Sequence, residues 1–115
     1  MAKQLEAKIS EKCLKYLQAL KDMGVPLEWF HRSGSGGFQY KKGIPDMYIV
    51  IGPYHIECEM KTPAGHLSTM QVKWRDRFIR NGTPYVNPHT FEEFREFIDH
   101  YIDTYIPPSP TDSVV

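Results

Sequence analysis

Between residues 3 and 22 the apolar positions recur every three or four residues. Wound at about 100° per residue, Leu5, Ile9, Cys13, Tyr16, Leu17, Leu20 and Met23 fall on one arc of about 120°, which predicts an amphipathic helix. Gly24 and Pro26 stop it. Residues 27–32, LEWFHR, are aromatic and partly alternating, as in a strand. Residues 33–43, SGSGGFQYKKG, read as a glycine-rich loop. A mostly apolar strand follows over 46–51. Gly52-Pro53 turns the chain, and residues 54–60 return antiparallel. Residues 62–66 are loop. Ser68 and Gln71 have capping-box spacing, so a helix runs from Ser68 to about Asn81, with Met70, Val72, Trp74, Phe78 and Ile79 on its apolar side. Residues 84–86 form a short strand. Thr90 and Glu93 open a last helix that buries Phe91, Phe94, Ile98, Tyr101 and Tyr105.

The pattern therefore predicts an α/β protein, a small mixed β-sheet with flanking helices in the order α-β-β-β-α-β-α. At 115 residues it is one domain, over 1–106. The Pro-rich stretch 107–115 is expected to be a disordered tail.

One position class breaks the pattern. Side chains alternate along a strand, so Glu57, Glu59 and Lys61 share a face of an otherwise apolar strand. Buried charge is costly unless it is paired or binds a metal. Counting outward from the Gly52-Pro53 turn sets Ile51 opposite Tyr54 and Asp46 opposite Glu59. Directly opposed residues have Cβ atoms about 5 Å apart. Two carboxylates at that distance repel until a cation joins them, and hard cations such as Mg²⁺ favour carboxylate oxygens. Lys61 is placed to position a water and to offset negative charge. This is the chemistry that phosphodiester hydrolysis requires.

Two further residues have alternative readings. Glu6 lies inside the apolar arc of the first helix, whereas Glu11 lies on the polar face with Lys15 and Gln18. Of the two, Glu6 is the one able to face inward, although it also complements the helix dipole where it stands. Gln71 serves as the third residue of its capping box, or points back toward the strand carrying Glu59.

Composition adds less. Apolar and charged fractions of 41% and 24% are ordinary for a globular chain. No apolar run reaches the ~20 residues that span a membrane. The charged, helical N-terminus is unlike a signal peptide, so cytoplasmic residence is expected. Cys13 and Cys58 lack metal-ligand spacing and are expected to be buried free thiols. The net charge of zero conceals a gradient. Of 14 Lys and Arg, all but Arg95 precede residue 83, whereas six of the 14 Asp and Glu follow it. A basic surface around the strand carboxylates suits a polyanion. Lys41 and Lys42, beside Phe38 and Tyr40, are candidates for nucleic-acid contact, as are Arg32 and Lys73.

Asp46 followed by Glu59-Met60-Lys61 on a hairpin resembles the PD-(D/E)xK nuclease superfamily. The wider set is Glu6, Gly43-Ile44-Pro45-Asp46, Glu59-Met60-Lys61, Pro63, Gly65, Leu67-Ser68 and Gln71. It resembles the virus-type replication-repair nuclease (VRR-NUC) domain over roughly residues 4 to 105. The resemblance implies a restriction-endonuclease-like fold. It implies Asp46, Glu59 and the Met60 backbone carbonyl as ligands of Mg²⁺ or Mn²⁺, with Glu6 completing the metal environment directly or through water. Lys61 would be the catalytic lysine and Gln71 an assistant at the site edge. Stand-alone relatives, mostly from phages and bacteria, imply a homodimer that cuts branched DNA such as four-way junctions, in a bacterial or phage-infected cell. Glu57 departs from the family pattern. It is expected in a supporting role, as a ligand, as a partner of Lys61 or a nearby Arg, or as an exposed edge residue. Two other functions remain open: a nuclease for flaps, linear or single-stranded DNA, and a non-catalytic nucleic-acid-binding module.

Overall fold

The computed structural model describes residues 2–32 and 43–105, with side chains from Leu5 onward. The candidate loop lysines Lys41 and Lys42, and the tail 107–115, lie outside the described residues. The elements follow the expected order: α1 (Ala2–Asp22), β1 (Leu27–His31), β2 (Met47–Ile51), β3 (Tyr54–Cys58), α2 (Thr69–Arg80), β4 (Tyr85–Val86) and α3 (Phe91–Thr104). The strands form one sheet in the order β1-β2-β3-β4. β1 and β3 each pair antiparallel with β2, and β4 joins β3 in parallel, which makes the sheet mixed.

The register explains the layers. Leu27, Trp29 and His31 oppose Ile51, Ile49 and Met47, which in turn oppose Tyr54, Ile56 and Cys58. Opposed residues share a face. On this face Met47, Ile49, Ile51, Ile56 and Cys58 are fully buried, beneath Cys13 and Leu17 of α1 and Phe94 and Ile98 of α3. Burying each large aliphatic or aromatic side chain contributes about 1.5–3 kcal/mol over leaving it exposed. α1 and α3 touch through Tyr16, whose hydroxyl donates to Asp99 and whose ring meets Phe91 edge-on at 5.7 Å. Both cysteines are free and buried, as expected. Burial pushes the Cys13 thiol up to about 12 and the Cys58 thiol up as well, so neither is a nucleophile.

The apolar stripes are narrower than the sequence predicts. Leu5 and Met23, at the two ends of α1, are exposed, because the five-residue strands are too short to cover a 21-residue helix. Ile79 is also exposed, and α2 has no buried residue; its packing is against β4 at the sheet edge. Phe91 and Tyr101 of α3, and Tyr105 just past its end, are half-buried rather than buried.

Two glycines fit the backbone where no other residue does. Gly52, at φ +54°, opens the β2–β3 hairpin and suits the first position of a type II′ turn. A Cβ there would meet the Tyr105 ring at 2.3 Å. Gly43, at φ +85°, lies against the first turn of α2; a Cβ would stand 2.5 Å from the Met70 carbonyl carbon and 2.8 Å from the Gln71 nitrogen. That contact docks α2 beside the chain leading to Asp46.

Candidate active site

The hairpin ladder closes with Ile51 opposite Tyr54 and ends with Met47 opposite Cys58. Asp46 and Glu59 are the next residues outward. Each was expected inside a strand, and each lies just beyond one, where the antiparallel ladder has ended and the side chains are free to turn toward each other. The backbone stays tied. Asp46 accepts the Arg32 N–H at its carbonyl (2.7 Å), and its Oδ1 accepts the Met60 N–H at 3.4 Å. On the other side, the N–H groups of Glu57, Glu59 and Lys61 donate to the carbonyls of Pro84, Val86 and Pro88 at 2.9–3.1 Å. The parallel pairing with β4 thus continues past the end of β3 and holds the Glu59-Met60-Lys61 segment extended. Asn87 Nδ2 donates to the Glu59 carbonyl at 2.6 Å.

Within this frame Asp46 lies close enough to Glu59 for its charge to act on the Glu59 carboxyl. Glu59 is only 4% exposed. Both carboxyls are pushed above the ordinary carboxylate range. Burial is the main cause in each; the Glu6 charge adds to both, and the Asp46 charge adds further on Glu59. Lys61 acts in the opposite sense on Glu59, and the Met60 N–H and the His31 ring do so on Asp46. Crowded carboxyls of which one is buried retain a proton or exchange it for a cation. Their all-oxygen donors suit a hard ion such as Mg²⁺, which commonly takes one or two protein carboxylates and completes its shell with water and phosphate. Among the described residues no group of three or more His, Cys, Asp and Glu side chains forms a ready metal cage. Glu6 acts on the pair through its charge, from the wall of the same cleft.

The row of charges on β3 divides. Glu57 turns to Arg32, which reaches both of its oxygens at 2.5 and 3.1 Å and also donates to the Pro45 carbonyl at 2.9 Å. Of the roles open to Glu57, the Arg partnership is the one formed. Arg32, a candidate for DNA contact, is held in this fork and lies over the Tyr48 ring at 5.7 Å. Lys61 is half-buried at the strand end. Gln71 completes the capping box: its Oε1 accepts the Ser68 N–H at 2.7 Å while Ser68 Oγ accepts the Gln71 N–H at 3.2 Å. Lys73 is exposed on α2.

His31, Tyr85 and Asn87 surround the pair without having been singled out as site residues. The Tyr85 hydroxyl is pushed up by burial and by the Glu59 charge. None carries a sequence signal, because each reaches the site through strand pairing between distant segments.

No family model matches the sequence, and no curated protein matches it. Among solved structures, the chain is similar to one described as "VRR_NUC domain", with a TM-score of 0.66 and 18% sequence identity, over 84% of this chain and 96% of that one. The hairpin that brings Asp46 to Glu59, with helices on one face and a parallel fourth strand at its edge, is therefore built on the fold of a VRR_NUC domain.

Proposed function

We propose that the chain is a divalent-metal-dependent nuclease that hydrolyses phosphodiester bonds in DNA. The observation that carries this reading is half-buried Asp46 beside buried Glu59 at the foot of the hairpin, with Lys61 acting on Glu59 from two residues away. The fold of a VRR_NUC domain supports it. A bound Mg²⁺ or Mn²⁺ supplies positive charge at the phosphoryl oxygens and eases the deprotonation of water. Asp46, Glu59 and the Met60 backbone carbonyl hold it, and Glu6 adds negative charge directly or through water. Asn87 fixes the Glu59 backbone so that its carboxylate keeps its aim. Lys61 orients the attacking water and offsets charge developing on the phosphate. Gln71, its Oε1 held by the cap, assists with its amide nitrogen. Lys73 contacts the DNA backbone, with Arg32 in a secondary place because of its fork to Glu57.

The preferred substrate is branched DNA such as a four-way junction, cut by a homodimer acting in the cytoplasm of a bacterial or phage-infected cell. Two symmetric incisions need two sites, and a two-fold pair is the commonest arrangement that supplies them. The test is cleavage of four-way, flap, duplex and single-stranded DNA with Mg²⁺ or Mn²⁺. Wild type should nick a junction symmetrically, while Lys61→Ala and Asp46→Asn should be inactive. Undiminished cleavage by Lys61→Ala would overturn the mechanism. Binding by wild type without cleavage would leave a nucleic-acid-binding module instead.

A further inference from the structure

A cleft of about 830 Å³ lies between α1 and the edge strand β1, and Asp46 forms part of its wall. Its volume is within the range of small-ligand sites. Half-buried Trp29 and Leu14 supply apolar surface, and Ser10, Gln18 and His31 supply hydrogen-bonding groups. The charges in it are mostly negative: Glu6, Glu11 and Asp46 against Lys15, which is itself paired with Glu11 at 3.0 Å.

Resting on the nuclease reading, we propose that this cleft receives an unpaired nucleobase adjoining the phosphate held at Asp46 and Glu59. Three features select that occupant. The cleft is continuous with the carboxylate pair through Asp46, so a group one nucleotide from the phosphate reaches it. Its one lysine is already paired with Glu11, so it offers little to a second phosphate, whereas its carboxylates and Ser10, Gln18 and His31 can hydrogen-bond a neutral ring and its exocyclic amino groups. An unstacked base also needs an aromatic surface, and Trp29 borders the cleft. A base inside a continuous duplex remains stacked and unavailable. The cleft is therefore filled only where the nucleotide beside the cut is unpaired.

The test uses the full chain and a single-stranded oligonucleotide carrying 2-aminopurine, compared with the same strand carrying an abasic site there. Binding is measured in Ca²⁺ and cleavage in Mg²⁺. Wild type should quench the 2-aminopurine and bind the intact strand about tenfold more tightly than the abasic strand. Trp29→Leu removes the stacking surface. Ala7→Phe fills the cleft from an exposed helix position that leaves the core untouched, and both folds are checked by thermal melting. Each variant should bind the two strands alike. Equal affinity of wild type for both strands, or a base preference retained by folded Ala7→Phe, overturns the proposal. Cleavage separates the two readings. Cutting without base preference refutes the cleft alone, and base preference without cutting in Mg²⁺ refutes the nuclease reading alone.

Discussion

Arg32, one residue past the end of β1, holds both carboxylate oxygens of Glu57 from the middle of the sheet. The Glu57 side chain is 8% exposed and that of Arg32 28%. The fork takes up one of three neighbouring carboxylates and leaves Asp46 and Glu59 to each other. Removing one member of a buried pair strands the other without compensation. Arg32→Ala should therefore lower unfolding free energy by about 3 kcal/mol, measured by urea denaturation. Arg32→Lys should fall between, since an ammonium lacks the two-pronged geometry. A loss confined to DNA affinity, with stability unchanged, would contradict this role.

The Asp46–Glu59 pair makes stability depend on pH in an identifiable direction. Glu59 rises from 4.5 toward about 8. A carboxyl whose value is higher in the folded protein binds more protons folded than unfolded. Its contribution is full below about pH 4.5 and is lost as pH rises through about 8. In EDTA, the melting temperature should fall between pH 5.5 and 8, and Glu59→Gln should flatten that slope. Mg²⁺ competes with the proton, so it should raise the melting temperature more at pH 8 than at pH 5.5. A metal effect independent of pH would argue against binding at this pair.

Gly43 meets two demands at once, a positive φ and backbone contact with α2. Gly43→Ala adds left-handed strain to a clash with Met70 and Gln71 that no side-chain rotation relieves. The expected cost is about 1–3 kcal/mol, seen as a lower melting temperature. Because the shifted helix carries Gln71, the variant should also lose cleavage activity at temperatures where it remains folded.

Glu6 and Glu11 both border the α1–β1 cleft, but they differ in what they act on. Glu6 raises both site carboxyls, whereas Glu11 pairs with Lys15 in solvent. Glu6→Gln should weaken Mg²⁺ binding by about tenfold, as read by calorimetry, the usual scale for a residue supporting a metal site. Glu11→Gln should leave it within about twofold. Equal losses would refute the distinction.

The order of elements, the hairpin and the capping box at Ser68 were legible in the sequence because each depends on neighbours a few residues apart. The opposition of Asp46 and Glu59 followed from the same locality, since a two-residue turn sets the register of both strands. Periodicity also placed Glu6 on the inward side of α1, but not its distance from the pair. What lay beyond the sequence depends on contacts between distant segments. Strand alternation alone put Glu57 and Glu59 on one face, and only the approach of Arg32 from β1 separated their tasks. The parallel pairing with β4, which brings Asn87 and Tyr85 to Glu59, has no local signature. The cleft beside Trp29 exists because, among the described residues, a long helix crosses a short sheet and leaves space beside Asp46. The sequence by itself determined which carboxylates meet; the tertiary structure decided which of them is neutralised, which is held in place, and what surface lies beside them.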